Sequence, residues 1–323
     1  MRRLAPRLSG RACPAAPTLT TVGARHASPP RHVLPRGQER NHAVTAVAIL
    51  LAFSSCLFAA DPTFLRRQVA DVKPQPDDLT AKAASYKPLF GIGDPDVDKL
   101  KGVARYGELT VSPGGTSAVV SYPAEEQIYF VEQGSGTLLY GDDQAPIKAN
   151  DFMYLPVGVK HGIANSSNAP VKVIVMGYTI PAGVQVRPTP SLMLANADDV
   201  QLQILGQHGP TAQFKLLMGD TSSQRDKFAA AYLMDSLFIM DFAPGGTNIP
   251  HHHPAEEEVY LLLRGSGDMV AGLDANGKEV RHPVTAGAAF FFKPGTQVGY
   301  YSHAQGGQPH DLILAVRSRL PAK

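Results

Sequence analysis

Short runs of alternating apolar and polar residues, joined by turns rich in glycine, proline and Asn-Gly, dominate the chain from Gly107 onward. Amphipathic patterns with the longer period of a helix are scarce. A period of two, interrupted by frequent turn residues, is typical of short antiparallel strands. The pattern therefore predicts an all-β protein built from many short strands.

A repeat divides this region into two halves. The segment PGGTSAVVSYPAEEQIYFVEQGSG at 113–136 aligns without a gap with PGGTNIPHHHPAEEEVYLLLRGSG at 244–267. Further on, NDFMYLPVGVKHGIAN at 150–165 pairs with GAAFFFKPGTQVGYYS at 287–302, after six extra residues in the second copy. The offset between the first two segments is 131 residues, which is the length of a domain and not of a solenoid repeat.

The second copy contains a cluster of residue types that bind metals. His251 and His253 are two residues apart, so on an extended strand both imidazoles point to one face. Glu258 follows after a turn at Pro254. Two imidazoles and a carboxylate form a mixed nitrogen and oxygen site that suits iron, manganese, zinc or nickel. The sequence therefore predicts one divalent metal ion, of unspecified identity, held by these three side chains.

The order G-x5-H-x-H-x4-E-x6-G, from Gly245 to Gly265, resembles the first signature motif of the cupin superfamily. That resemblance implies a small antiparallel jelly-roll barrel in which the two His and the Glu are metal ligands. A second cupin motif, G-x5-P-x-G-x2-H-x3-N, brings a third His. Because both halves resemble this pattern, the chain is similar to a bicupin from about Gly107 to Val316, with two tandem cupin jelly-roll barrels.

The first copy has lost the metal ligands of the first motif. Val120, Tyr122 and Gln127 stand at the positions of the two His and the Glu, and no metal would be held there by those three. His161 nevertheless occupies the His position of the second motif. Two interpretations stay open: His161 is a hydrogen-bonded core residue, or it forms a metal-free pocket for a small polar molecule together with Tyr122, Gln127 and Tyr129.

The second copy keeps the first motif but has Val298 in place of the second-motif His. This leaves a three-ligand site, or a fourth ligand from elsewhere, for which Gln297, Tyr300 and His303 are the nearest candidates. Tyr300 shares the face of Val298 on a regular strand, so it is our candidate for an acid/base group or substrate contact. Strand parity also predicts an inward-facing substrate pocket, with plain core packing as the alternative role. Its predicted lining is Tyr260, Phe290, Phe292 and Val298, with Gln297 added if a one-residue shift or bulge turns it inward.

Two further acidic residues, Glu256 and Glu257, precede the candidate ligand Glu258. We expect them to lie in a solvated turn. Support of a ligand His by one of the two carboxylates is the alternative.

The first 60 residues differ in composition from the rest. Residues 1–42 hold eight Arg and one acidic residue, and Ala43–Ala60 is apolar and uncharged. A basic flank before an apolar stretch is typical of a cleaved secretory signal peptide. We therefore expect a periplasmic or secreted protein without a stable membrane span after processing. A membrane anchor and a lipid anchor at Cys56 are the alternatives.

Removal of this leader changes the charge and the cysteine content. Eight of the thirty basic residues and one of the twenty-eight acidic residues lie in it, so the net charge of +2 becomes −5. Both cysteines are also lost, which excludes a disulfide or thiol chemistry. Without a basic patch we expect no nucleic-acid partner. The predicted domains are a leader at 1–60, an arm at 61–105, barrel 1 at 106–183, a linker with shared strands at 184–232, and barrel 2 at 233–320.

Two His and one carboxylate with open positions resemble the facial triad of non-haem iron oxygenases. The same three ligands also fit zinc or manganese that activates water for hydrolysis. The sequence thus predicts a secreted bicupin metalloprotein, a dioxygenase-like or aminohydrolase-like enzyme acting on a small organic molecule. The alternative is a non-catalytic cupin that binds a small molecule or a metal. The oligomeric state is left open.

Overall fold

The computed structural model describes residues 63–320 apart from positions 188, 190 and 207. The predicted leader, its cleavage site and a lipid anchor at Cys56 lie outside these residues and stay predictions. Within the described part of the chain, two single 3-10 turns, Val97–Lys99 and Ala197–Asp199, accompany the strands. No helix of this part has the length and apolar character needed to cross a membrane.

The strands of this part are numbered in chain order. They are β1 (Phe64–Gln68), β2 (Ala84–Gly91), β3 (Val103–Val111), β4 (Glu125–Gln133), β5 (Ser135–Tyr140), β6 (Asp143–Lys148), β7 (Asp151–Leu155), β8 (His161–Ala164), β9 (Val171–Thr179), β10 (Met193–Asn196), β11 (Leu202–Gln203), β12 (Ala212–Asp220), β13 (Phe228–Ala231), β14 (Met234–Phe242), β15 (Thr247–His252), β16 (Glu256–Arg264), β17 (Ser266–Leu273), β18 (Glu279–Thr285), β19 (Ala288–Phe292), β20 (Gln297–Ser302) and β21 (Asp311–Arg319).

These strands form two barrels of matching topology. Barrel 1 combines a sheet of order β10-β7-β4-β9-β3-β2 with the smaller sheet β6-β5-β8. Barrel 2 combines the order β1-β19-β16-β21-β14-β12-β11, with β13 beside β12, and the smaller sheet β15-β20-β17-β18. The two large sheets share one strand order when repeat 1 is laid on repeat 2. The prediction of an all-β chain with two tandem jelly-roll barrels is confirmed.

The two barrels exchange edge strands. The segment before barrel 1 adds a strand to the large sheet of barrel 2, and the segment before barrel 2 adds one to the large sheet of barrel 1. Strand β1, in the predicted arm, pairs antiparallel with β19 of barrel 2. Strand β10, in the predicted linker, pairs antiparallel with β7 of barrel 1. The exchange covers two sheet edges that would otherwise expose unpaired backbone groups. It also ties the two repeats together through main-chain hydrogen bonds.

Buried side chains divide into three clusters, and strand parity decides which cluster a residue joins. Inward residues of the large sheets fill the two barrel interiors. Residues of opposite parity on the same strands pack sheet against sheet between the barrels. On β16, for example, Tyr260 and Leu262 lie inside barrel 2, whereas Val259 and Leu261 belong to the inter-barrel core. Burial of this third cluster makes the two barrels one folding unit.

Two buried glutamates reinforce the inter-barrel core. Glu126 of barrel 1 accepts the backbone N–H groups of Tyr232, Leu233 and Met234, at 2.8, 2.8 and 3.2 Å. Tyr232 and Leu233 precede β14 of barrel 2, and Met234 is its first residue. Glu126 also accepts the hydroxyl of Tyr154 at 2.9 Å.

Glu257 makes the reciprocal contact from barrel 2. It accepts the N–H groups of Lys101, Gly102 and Val103, at 2.7, 2.7 and 3.2 Å, at the entry to β3. The expectation of a solvated turn is therefore wrong for Glu257, which is 1% exposed. Burial raises the pKa of both carboxyl groups, and the three backbone donors act in the opposite direction. We call this pair of contacts the reciprocal carboxylate clamp.

Loss of one half of the clamp should destabilise the whole molecule. Glu257→Ala leaves the buried N–H groups of Gly102 and Val103, and the partly buried N–H of Lys101, without their acceptor. It should lower the free energy of unfolding by about 3 kcal/mol. Glu256→Ala, one residue earlier and partly exposed, is the matched control and should change it by less than about 0.5 kcal/mol. Urea denaturation measures both, and equal midpoints for the two variants would contradict the clamp.

Candidate metal centre

Strands β15 and β16 position the three predicted ligands in barrel 2. His251 lies in β15, an edge strand that pairs only with β20 in its sheet, so Pro250 removes no donor that a second partner strand would need. A register shift between Asn248 and His251 marks a bulge beside the site. Glu258 lies in β16, between Phe292 of β19 and Arg317 of β21. The carboxylate thus comes from the centre of the large sheet.

The three side chains meet at one cavity of about 290 Å³. The Nε2 atoms of His251 and His253 are 3.1 Å apart, and Nε2 of His253 is 3.8 Å from Oε2 of Glu258. Two donors bound at about 2.1 Å to one metal, at a right angle, are about 3 Å apart. Among the described residues, no three His, Cys, Asp or Glu side chains are already assembled into a metal site. The candidate ligands are neighbours rather than a formed coordination shell.

Glu258 has the character of a ligand that needs a cation. Its side chain is 2% exposed, and neither carboxylate oxygen has a hydrogen-bond partner in the described part of the chain. Burial raises its pKa from 4.5 to about 8, against the opposing effects of Arg317 and the Tyr260 hydroxyl. An ionised carboxylate in this environment is costly unless a positive charge compensates it. A divalent cation beside it would remove that cost.

The two imidazoles differ in how well they suit a metal. His251 Nδ1 lies 2.9 Å from the carbonyl oxygen of Ile249, so the proton belongs on Nδ1 and Nε2 is the unprotonated nitrogen. His253 Nδ1 lies 3.2 Å from Nη1 of Arg317. Because a guanidinium only donates, His253 Nδ1 must accept, and the proton on its Nε2 is donated to His251. These tautomers are assigned from the surrounding donors and acceptors.

The three candidate ligands therefore differ in how far they fit a metal. Glu258 offers two carboxylate oxygens without a hydrogen-bond partner among the described residues, and His251 offers an unprotonated Nε2 that now accepts the hydrogen bond from His253. His253 can offer Nε2 only after Arg317 turns away and Nδ1 takes the proton. Burial, and then the charge of Arg317, lower the pKa of His253 to about 3, so this imidazole is neutral at physiological pH. A neutral imidazole is the form that binds metals.

Among the cavity residues that sequence reasoning missed, His208 and Arg317 lie closest to the candidate ligands. Arg317 follows Ile313 and Ala315 at a spacing of two in DLILAVRSR, and both of those are inward residues. A charged residue at an inward position was therefore a readable signal. His208 lies in the segment between β11 and β12, where no periodic pattern marks it. The whole lining is Leu205, His208, Phe214, Leu216, Arg225, Ser236, Phe238, Met240, His251, His252, His253, Glu258, Tyr260 and Arg317.

Of the predicted pocket residues, the structure brings only Tyr260 to this cavity. Phe290, Phe292 and Val298 do face the barrel interior, as parity predicted. The two phenylalanine rings stack on each other with centroids 5.8 Å apart, within the packed core. Gln297 lies opposite His252 at the start of β20 and does not line the cavity. These four residues therefore do not form the expected pocket wall. Phe290, Phe292 and Val298 are packed in the core, and Gln297 lies at the start of a strand.

The structure also places the candidate fourth ligands elsewhere. The Tyr300 hydroxyl donates to Asp311 at 2.8 Å, and its ring packs on Phe242 with centroids 4.8 Å apart. His303 is half-exposed, with Nε2 3.1 Å from Asp268. Neither residue lines the cavity. The proposed acid/base role of Tyr300 is therefore not supported at this site, because its hydroxyl is bound to a buried carboxylate.

Barrel 1 gathers its predicted polar residues around His161. The rings of Tyr129 and Tyr122 lie 5.5 and 5.9 Å from the His161 ring, centroid to centroid. The Tyr129 hydroxyl, Gln127 Oε1 and His161 Nε2 are buried without a hydrogen-bond partner among the described residues. Buried polar atoms are normally satisfied, if necessary by ordered water. A metal-free polar pocket in barrel 1 stays a proposal, with water as its simplest occupant.

An arginine lies beside the ligand positions of each barrel, but on different strands. In barrel 1 it is Arg105 of β3, which pairs with Glu125 at 2.9 Å and Asp78 at 2.8 Å. In barrel 2 it is Arg317 of β21, which has no carboxylate within 4 Å among the described residues and whose Nε is buried without a partner. The counterpart of Arg317 in barrel 1 is Gly177, where a Cβ would collide with the Arg105 and Glu125 side chains. Of these two arginines, Arg105 is therefore paired with carboxylates, whereas Arg317 has no carboxylate partner among the described residues.

Two tandem barrels, the second with an imidazole and carboxylate cavity, define the class as a double jelly-roll protein with a candidate metal centre. Residues 107–177 and 238–313 each match the cupin domain family. The chain is therefore a two-domain cupin.

Comparison with known proteins agrees with this assignment. A germin-like protein, subfamily 2 member 1, of Arabidopsis thaliana is 36% identical over 86 residues, which are 27% of this chain and 38% of the relative. Oxalate oxidase GF-2.8 of Triticum aestivum is 30% identical over 88 residues, again 27% of this chain and 38% of the relative. The solved oxalate decarboxylase of Lactobacillus farciminis, in complex with formate, superposes with a TM-score of 0.58 over 80% of this chain and 87% of that chain. At 12% identity, this last likeness shows the fold alone.

The raised pKa of Glu258 predicts an unusual pH dependence for metal-free protein. Between about pH 4.5 and pH 8 the unfolded state ionises this group while the folded state keeps it protonated, so stability should fall as pH rises through that window. Glu258→Gln has no carboxyl group to titrate, so its stability should not fall in this way. At about pH 7 its free energy of unfolding should exceed that of the wild type by on the order of 2 kcal/mol. Urea denaturation of chelator-treated protein at several pH values measures the difference. Parallel stability curves for the two proteins would contradict the assignment.

Proposed function

We propose that this bicupin is a metal-dependent enzyme whose second barrel binds one divalent metal and a small organic acid. His251 and His253 would hold the metal through Nε2, and Glu258 through its carboxylate. The observation that carries the proposal is the buried Glu258 carboxylate, which has no hydrogen-bond partner among the described residues. Beside it on the adjacent strand lies Arg317, an arginine without a carboxylate partner in the described part of the chain. The metal's identity is open among iron, manganese, zinc and nickel.

The substrate class follows from Arg317. Its Cα pairs with that of Glu258, so both side chains project from neighbouring strands into one cavity. A guanidinium without a carboxylate partner is a ready donor for a planar carboxylate, which it can bind through two parallel hydrogen bonds. The cavity of about 290 Å³ suits a small acid. Substrate binding there would satisfy the buried Nε that has no partner in the described chain.

The chemistry divides between the metal and this chain's own residues. When bound, a divalent metal would polarise a coordinated carboxylate or, if redox-active, exchange electrons with substrate and dioxygen. Arg317 would orient the substrate, and the apolar wall of Leu216, Phe238 and Met240 would limit the entry of water. The wheat relative is named an oxalate oxidase, which agrees with oxidation of a small acid. Oxidation is therefore our first candidate, hydrolysis the second, and non-catalytic binding of an organic acid the rival.

Removal of the imidazoles tests the metal proposal. Purified wild-type protein should contain one equivalent of divalent metal by elemental analysis, and His251→Ala/His253→Ala should contain less than about a tenth of that. The two proteins should have similar circular dichroism. Oxygen consumption in the presence of a small acid would favour oxidation, whereas turnover of the acid without oxygen consumption would favour hydrolysis. A double variant that keeps stoichiometric metal would refute the ligand assignment.

Removal of the guanidinium tests the substrate proposal separately. Arg317→Met should weaken binding of oxalate, acetate or malonate by at least about tenfold, because a charge-assisted hydrogen-bonding pair is lost. Metal content should stay at one equivalent. Arg281→Met, at an exposed ion pair with Glu279, is the matched control and should bind like the wild type. Calorimetric titration gives the affinities, and unchanged affinity in Arg317→Met would exclude this arginine as the anchor.

A further inference from the structure

Besides the candidate ligands His251 and His253 and their neighbour His252, a further histidine, His208, lines the cavity of the candidate metal centre. It belongs to neither signature motif and lies in the loop between β11 and β12. Its Nδ1 atom is buried and has no hydrogen-bond partner among the described residues. A histidine that served only to pack would leave this polar nitrogen uncompensated. The ring therefore needs a partner that the described side chains do not provide.

The rings of the three histidines have the spacing of ligands around one ion. The His208 and His251 ring centroids are 4.8 Å apart, with 76° between the ring planes. The His251 and His253 centroids are 4.9 Å apart, with 87° between the planes. Two imidazoles bound to one metal at about 2.1 Å, with an angle of 90° to 110° between them, have centroids roughly 4.5–5.3 Å apart. Both neighbouring pairs fall in that range.

The loop that carries His208 is fixed against the strand that carries His251. The Thr211 hydroxyl donates to the Thr247 carbonyl at 3.2 Å and accepts the Thr247 N–H at 3.1 Å. The Thr211 carbonyl accepts the N–H of Ala243 at 3.1 Å. The His208 ring packs on Phe214, with centroids 4.8 Å apart. The loop is therefore attached to β15 three residues after His208, and the imidazole is packed against Phe214.

The corresponding loop of the first repeat also delivers polar groups to its barrel. The Ser112 N–H donates to the Ala83 carbonyl in repeat 1, just as the Ala243 N–H donates to the Thr211 carbonyl in repeat 2. The loop before Ala83 therefore corresponds to the loop before Thr211. A few residues before Ala83, Asp78 reaches Arg105 at 2.8 Å. Arg105 in turn covers the ring of Tyr122, the counterpart of His253, at 4.8 Å. In both repeats this loop supplies a side chain to the ligand end of the barrel.

We propose that His208 is a further ligand of the divalent metal, in place of the second-motif histidine that Val298 has replaced. The inference rests on the proposed function, because it assumes a metal at His251, His253 and Glu258. The loop between β11 and β12 would thus supply the additional metal ligand. The three sequence-derived candidates for it, Gln297, Tyr300 and His303, do not line the cavity.

The test is a Co²⁺ titration of the full-length metal-free protein, followed by visible absorption. His208→Phe keeps the ring contact with Phe214 but removes the donor atoms. We expect Co²⁺ affinity to fall by at least about tenfold, with a changed d–d spectrum. His303→Phe is the matched control, with affinity and spectrum like the wild type. Circular dichroism and melting temperature establish that both variants are folded.

Rescue separates coordination from structure. In His208→Gly, added imidazole should restore the wild-type Co²⁺ spectrum if His208 is a ligand. A wild-type spectrum and affinity in His208→Phe would overturn this inference and leave the proposed function standing. Failure of the wild type itself to bind Co²⁺, Mn²⁺, Zn²⁺, Fe²⁺ or Ni²⁺ would overturn the proposed function and this inference together.

Discussion

The reciprocal carboxylate clamp is the contact on which the arrangement of this protein depends. Glu126 and Glu257 each bind three successive backbone N–H groups at the entry to the other repeat's barrel. A carboxylate that accepts several backbone bonds fixes the course of the chain far more tightly than a side-chain ion pair does. The clamp therefore ties the first residues of β3 and β14 to the opposite repeat. Both strands belong to the large sheets that carry the barrel interiors.

The clamp and the metal site are adjacent along one strand. Because side chains alternate in β16, Glu257 points toward barrel 1 while Glu258 points into the cavity of barrel 2. The same strand therefore provides a contact between domains on one face and a candidate ligand on the other. The hydrogen bonds of Glu257 restrain the backbone of β16 next to Glu258. This restraint fixes the position of the candidate ligand along the barrel axis, and metal sites need such support for their ligands.

Sequence reasoning recovered the fold and the face of each ligand, and failed where contacts depend on distant residues. The internal repeat fixed the two barrels, and parity alone correctly placed Tyr260, Phe290 and Tyr300 inside barrel 2. Parity gives the face of a strand but not the height of a side chain along the barrel. The hydroxyl of Tyr300 is therefore bound to Asp311 on another strand, away from the cavity.

With the exception of Arg317, the features that sequence reasoning missed depend on contacts between residues far apart in the chain. Strand β1 exchanges into the sheet of the opposite barrel, and the Glu257 carboxylate meets Gly102 across 155 residues. His208 lies in a loop without periodic pattern. No local pattern encodes such long-range partners, because they are chosen by the packing of the two repeats. Arg317 is the exception, since an arginine at an inward position of an apolar strand was visible in the sequence.

The position of Arg317 links the two halves of the proposed function. In the present arrangement its guanidinium donates to His253 Nδ1, which keeps a proton on the nitrogen that a metal would need. A carboxylate bound in the cavity competes for the same guanidinium with a full negative charge, and a charged acceptor outweighs a neutral imidazole. Release of His253 would then allow the proton to move to Nδ1 and free Nε2. In the proposed site, metal and acid binding would therefore be coupled, and by linkage each would strengthen the other to the same extent.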